Sequence, residues 1–251
     1  MAKGKSHPEF ISRSQEILKQ VQNDKKQTMI KINNLTKTFI KDGNKIEVLK
    51  GLNLEIARGE SLAILGVSGA GKSTFLHILG TLDQPTSGTM FFDDVNVFNW
   101  NEKKLAEFRN RKIGFVFQFH YLLPEFSSLE NVMMPALINS MSREEARERA
   151  GIILNEMGLD DRMTHKPGEL SGGEQQRVAV ARALIMEPEM ILADEPTGNL
   201  DTETGKKVED ILINLNKTKN ITLVAVTHNR LLANRMSSVT GLRDGKLYAS
   251  E

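Results

Sequence analysis

Nine residues, "GVSGAGKST" from Gly66 to Thr74, constrain this chain more than any other stretch. They fit G-x-x-x-x-G-K-[ST], with Gly66, Gly71, Lys72 and Ser73 at the fixed positions. The run "SLAILG" before them predicts a short buried strand, and "KSTFLHILGTL" after them sets Phe75, Leu76, Ile78 and Leu79 at helical spacing. Strand, glycine loop and helix in that order make a cradle for phosphate. The backbone of Gly66, Val67, Ser68, Gly69, Ala70 and Gly71 must curl until successive N–H groups converge on oxyanions, which a Cβ at the glycines would obstruct. Lys72 supplies a mobile charge for β and γ phosphates, and Ser73, beside Thr74, offers a hard hydroxyl ligand for Mg²⁺. The loop predicts a magnesium–nucleoside triphosphate site.

The stretch "MILADEP" predicts the second half of that site. Its apolar run reads as a strand of a parallel sheet covered on both faces, and it delivers Asp194 to the carboxyl edge, where the carboxylate can hold a metal beside Ser73. Successive residues at a strand end point to different sides, so Glu195 is expected to face the γ-phosphate and polarise an attacking water. The run "TLVAVTH" predicts a neighbouring strand that ends in His228, placed to donate a hydrogen bond to the γ-phosphate. His7, His77, His120 and His165 have no comparable setting and receive no chemical role.

With 33 basic and 32 acidic residues the formal net charge is +1, so no global field draws the chain to nucleic acid, and any polyanion must be held locally. The absence of cysteine excludes a disulfide framework and a thiolate metal site. No apolar run approaches the roughly 18 residues that span a bilayer. Residues 1–28 read as an appended, flexible extension, and residues 29–251 as one α/β domain. From Met29 to about Phe92, turn signals between short alternating runs predict an antiparallel β layer, with "SLAIL" inside it. From about residue 118 to 168 helical patterns take over and predict an inserted helical subdomain, in which Ser142 and Glu145 have capping-box spacing. The end of the chain predicts a hairpin at Asp244-Gly245.

The stretch "LSGGEQQRVAVARAL" adds a second glycine-flanked helix start: Ser171 and Glu174 have capping-box spacing, and Gly172 and Gly173 leave first-turn amides open to an anion. With this stretch the chain resembles the ATP-binding cassette (ABC) family of transporter ATPases, from Met29 to about Tyr248. The resemblance implies a RecA-like P-loop NTPase core with an antiparallel β subdomain and an inserted helical subdomain. It also implies that Phe39, where a tyrosine is commoner, stacks on adenine, and that Gln118 belongs to a loop that senses metal and γ-phosphate. It carries over Ser171 to Gly173 as the signature, "GNLD" ending in Asp201 as the loop at the dimer seam, and His228 as the switch histidine. Two copies would pair head to tail on ATP, each completing the other's site.

After Gln118 the sequence continues "FHYLLPEFSSLENV". Exposed, Phe119, Tyr121, Leu122, Leu123 and Phe126 would be an aggregation hazard unless a partner covered them, so residues from Phe119 to Val132 predict a docking surface for an amphipathic helix of a membrane subunit. The phrase resembles most closely the lipoprotein-releasing LolD subfamily, and "LADEPTGNLD" is shared with MacB-type efflux and FtsE-type division cassettes. That resemblance implies polytopic inner-membrane permease partners of the LolC/LolE kind, and a peripheral place on the cytoplasmic face of the inner membrane. Cassettes that act on DNA or ribosomes carry coiled-coil insertions or a second cassette, and this sequence has neither.

Overall fold

The computed structural model describes residues 27–249, so the expectation for the first 26 residues lies outside it. Thr28 is already in a strand, and the Gln27 carbonyl accepts from the Arg58 amide.

Strands β1 (Thr28–Lys41) and β2 (Asn44–Ala57) form a long hairpin. Its turn residues Asp42 (φ 51°) and Gly43 (φ 77°) are both left-handed, the geometry whose twist matches that of the strands. Strand β3 (Ser61–Leu65) leaves this layer, and the chain returns to it in β4 (Ser87–Phe92) and β5 (Val95–Asn96), giving an antiparallel sheet of order β2-β1-β4-β5. The sequence placed "SLAIL" inside that layer, and the structure corrects this. Its residues are buried on both faces, which an antiparallel sheet with one wet face does not provide.

Instead β3 is central in a second sheet with β6 (Ile113–Phe117), β7 (Met190–Asp194), β8 (Thr222–Thr227), β9 (Ser238–Arg243) and β10 (Lys246–Ala249), in the order β10-β9-β3-β8-β7-β6. All pairs are parallel except the terminal β9–β10 hairpin. Alternation along the strands splits the interior in two. Leu62, Ile64, Leu192, Val224 and Val226 face the antiparallel layer and Phe75, while Ala63, Ile191, Ala193, Leu223 and Ala225 face helices on the other side.

Between Phe117 and Gly172 the α-helices are Ser128–Ile138 and Arg143–Glu156. The first opens on a reciprocal Ser127–Glu130 box that the sequence reading missed. Ser142 caps the second by accepting from the Glu145 amide, but the return bond is not made; the Glu145 carboxylate is 2.9 Å from Arg149 one turn on. Because strands β3, β6, β7 and β8 run in parallel, their carboxyl ends meet at one edge. Gly66, Gln118, Glu195 and His228 all follow those ends, which is where open α/β sheets place ligands.

Candidate active site

The phosphate loop feeds the helix Lys72–Leu79 through Gly71, at φ 96°. A Cβ on Gly71 would lie 3.0 Å from side-chain carbons of both Val48 and Leu49, so close packing on β2 and the left-handed backbone both require glycine. Asn101, Ser127, Ser142, Ser171, Asp201 and Asn229 each cap the helix that follows them with a side chain. Among the described α-helices, only the one after Gly71 lacks a side-chain cap. Its first-turn N–H groups face the loop with a positive helix end behind them, the arrangement that attracts an oxyanion.

The Lys72 ammonium is nearly buried and donates to the carbonyls of Gly66 at 2.9 Å and Val67 at 3.2 Å. It is 3.7 Å from Glu195 Oε1. Asp194 lines the same cleft as Ser73; burial pushes its carboxyl up, and the nearby Ser73 hydroxyl opposes the shift. A cleft of about 700 Å³ joins these groups: Val48, Ser68, Gly69, Gly71, Lys72, Ser73, Thr74, Gln118, Asp194, Glu195 and His228 line it.

Glu195 does not take its direction from strand alternation as expected. Strand β7 ends at Asp194, and Glu195 turns the chain at φ 44°, a left-handed conformation uncommon outside glycine. The turn is held by several contacts. Glu195 N–H donates to the Val226 carbonyl, while its Oε2 accepts from Thr227 Oγ1 at 3.0 Å and from the His228 amide at 3.3 Å. His228 Nδ1 lies 3.0 Å from Oε1. A carboxylate with several donors around it and one edge on an open cleft can orient a water.

Gln118 lines the cleft, but its side-chain amide donates to Asn199 Oδ1 at 3.0 Å, and Asn199 returns a bond to the Gln118 carbonyl at 3.1 Å. Its expected place on a metal is therefore not where its side chain rests. Phe39 does not line the cleft; it is 41 % exposed near the hairpin tip with Lys37 Nζ 4.9 Å from its ring centre. Asp201 caps the helix Thr202–Lys219, accepting from the amides of Glu203 and Thr204; the Thr204 side chain first, and then these amides, hold its carboxyl below the usual range.

Ser171 to Gly173 also lie outside the cleft of their own chain. Their helix start is closed on itself: Ser171 N–H and Oγ both bond Glu174 Oε2 at 2.8 Å, and Glu174 N–H donates back to Oγ. The Ser171 amide and hydroxyl hold the Glu174 carboxyl below its usual range, with Arg162 alongside at 2.9 Å. Gly173 has a packing role that the sequence reading missed, since a Cβ there would come within 2.2 Å of Thr204 Cγ2.

Of the apolar segment, Phe119 (62 %), Tyr121 (66 %), Leu123 (41 %) and Phe126 (37 %) are exposed, whereas Leu122 packs on the interior. Polar groups that the sequence reading passed over build this face. Buried Asn131 donates to the carbonyls of Leu123, Phe126 and Ser127 and accepts from the Leu123 amide. Arg182, on the same helix as Ser171, donates to the carbonyls of His120 at 2.7 Å and Tyr121 at 2.6 Å. Gln176 donates to the carbonyls of Pro196 and Phe117. His120, given no role above, is half-buried beside that helix, and burial lowers its pKa against the opposing influence of Gln175. These partners come together only in the fold, so sequence spacing carries no signal for them; Val48 is the same case.

Residues 49–198 match the family described as ABC transporter. The chain is 73 % identical to the lipoprotein-releasing system ATP-binding protein LolD of Syntrophus aciditrophicus over 219 residues, 87 % of this chain and 98 % of that one. It is 53 % identical to the protein of that name from Geobacter metallireducens, over 88 % of this chain and 99 % of that one. It is also similar to a dimeric ATP-binding cassette solved in a post-hydrolysis state bound to ADP and Pi. The TM-score is 0.83 and the identity 43 %, over 89 % of this chain and 98 % of that one.

Proposed function

Because the chain belongs to the ABC transporter family, we propose that it is the ATP-hydrolysing subunit of a transporter that releases lipoproteins from the inner membrane toward the outer one. The observation that carries the lipoprotein assignment is the 73 % identity to a lipoprotein-releasing cassette along nearly that protein's whole length. ATP lies in the Gly66–Thr74 cradle, with Lys72 on its β and γ phosphates and Phe39 against the base. Two copies close on it, so that Ser171 and Gly172–Gly173 of one reach the γ-phosphate held by the other; dimeric cassettes of the same fold support that arrangement.

Ser73 and Asp194 suit Mg²⁺. They are neighbouring hard oxygen donors lining the same cleft, the half-buried carboxylate needs a counter-charge, and no cluster of three metal-ligating acids, histidines or cysteines occurs among the described residues. A site of one carboxylate and one hydroxyl, completed by waters and phosphates, is the usual one for this cation, which when bound neutralises charge on the β and γ oxygens. Glu195 accepts the proton of a water whose oxygen bonds the γ-phosphorus as the bond to the β-bridging oxygen breaks, leaving ADP and phosphate. His228 steadies the Glu195 carboxylate, and Gln118 leaves Asn199 to meet the metal side of the site.

Asp194 makes the metal proposal testable without turnover. Its raised pKa means that the folded chain holds this proton to higher pH than the unfolded one, so the ligand-free fold gains stability as pH falls through the raised value and loses it as pH rises. Asp194→Asn should therefore raise the melting midpoint of the nucleotide-free protein at neutral pH, and abolish the extra stabilisation that Mg²⁺ gives with ATP. A wild-type response to Mg²⁺ in that variant would remove Asp194 from the metal site.

Among the described residues no helix is long and apolar enough to cross a membrane, so we place the chain at the inner membrane through its partners, LolC/LolE-like permeases that dock on the Phe119–Val132 face. Phe126→Asp puts a charge on that exposed face and should leave the isolated chain's ATPase rate within about two-fold, while cutting ATP-driven lipoprotein release from proteoliposomes by about ten-fold or more. Leu122 is the wrong position for this test, since its half-buried side chain supports the interior. Normal assembly and release with Phe126→Asp would refute the docking face.

A further inference from the structure

Glu195 and His228 stand on separate loops, and a carboxylate that belongs to none of the motifs above ties those loops together. Glu209, on the helix Thr202–Lys219, is 6 % exposed. Its Oε1 accepts from Asn229 Nδ2 at 3.0 Å and from Thr197 Oγ1 at 3.4 Å, and its Oε2 lies 3.3 Å from Arg235 Nη1. Thr197 is two residues beyond Glu195, and Asn229 is the residue after His228. Asn229 N–H donates to Thr227 Oγ1, which donates to Glu195 Oε2, so the network returns to the glutamate.

We propose that Glu209 is a positioning residue for hydrolysis: it sets the separation of Glu195 and His228 by holding both loops to one helix. The inference rests on the reading of those two residues as the hydrolytic pair. Burying a carboxylate is costly until its partners offset it, and on the same helix Val208 and Leu212 are fully buried without that cost. An apolar side chain at 209 would serve packing alone. What it cannot do is accept from a threonine, an asparagine and an arginine at once, and the first two of those donors belong to the loops that carry the pair. The same helix presses Thr204 on Gly173, so the signature serine and both hydrolytic loops share one rigid support.

The test is steady-state ATPase kinetics on the full chain, with melting midpoints as a fold check. Glu209→Ala should lower kcat about ten-fold or more with KM for ATP within about two-fold, because misplacement of groups near the chemistry costs rate rather than uniform binding. Asn229→Asp keeps the oxygen that accepts from Leu231 and Leu232 but sets a second carboxylate against Glu209, and should lower kcat similarly. Combining it with Glu209→Gln restores a donor–acceptor pair across the gap and should recover most of the lost kcat. Wild-type kcat in Asn229→Asp, or no recovery in the double variant, overturns the proposal even if Glu209→Ala fails to fold. Glu195→Gln is the control: if it retains turnover, the reading of the pair itself is wrong, whatever Glu209 does.

Discussion

Glu195→Gln is expected to lower ATP turnover by about 10²–10⁴-fold while leaving ATP affinity within about two-fold. The substitution is nearly isosteric, so the left-handed turn at φ 44° and the bond from its N–H to the Val226 carbonyl should persist. What changes is acceptor capacity. The carboxylate accepts from Thr227 Oγ1 and the His228 amide on one oxygen and faces His228 Nδ1 and Lys72 on the other. A glutamine offers only one oxygen to those donors, and its neutral amide cannot take the proton of the attacking water. The cradle of Gly66 to Thr74 is untouched, so ATP still binds. With the γ-phosphate intact, two copies should remain joined, and gel filtration with Mg²⁺–ATP should show a dimer that the wild-type chain holds only transiently. Turnover within a few-fold of wild type would strip Glu195 of its role. A monomer that binds ATP tightly would instead remove the shared-site arrangement and leave the base assignment standing.

Legibility from sequence follows the range of the interactions involved. The phosphate loop, the buried strands β7 and β8 and the Asp244–Gly245 hairpin depend on neighbours within a few residues, so spacing and turn chemistry reveal them. Strand β3 was misplaced for the opposite reason. Its apolar run is compatible with either sheet, and only pairing with Leu223 to Thr227, more than 150 residues away, decides between them. At the site, residue types were readable and orientations were not. Gln118 turns to Asn199, 81 residues away, because it takes the hydrogen-bond partner its folded surroundings offer, whereas the Ser171–Glu174 box, set by residues three apart, was readable from spacing. Glu209 shows the limit most clearly. In sequence it is one charge on an amphipathic helix, and only the approach of the loops at 197 and 229 and of Arg235 gives it three donors.

Lys72→Ala should weaken ATP binding by about 10²-fold or more, on the basis of roughly 1.5–3 kcal/mol for each hydrogen bond to a charged group and at least one such bond to each of two phosphates. Without ligand, the ammonium is held across the loop by the Gly66 and Val67 carbonyls, close to Glu195 but beyond hydrogen-bond distance. These contacts keep it inside the cradle, so little side-chain entropy remains to be lost when phosphate arrives. Alanine also leaves two carbonyls without their donor, which loosens the loop as well as removing the charge. Lys72→Met separates the two effects: it keeps an apolar stem of similar length where the lysine chain packs, so affinity lost by both variants reports the charge. The uncapped helix start that follows Gly71 is intact in both, and its amides should sustain residual binding at high nucleotide concentration. Calorimetric titration with a non-hydrolysable ATP analogue measures the difference. Unchanged affinity in both variants would mean that the phosphates sit away from Lys72, and the one α-helix start among those described that has no capping side chain would then have no ligand to account for it.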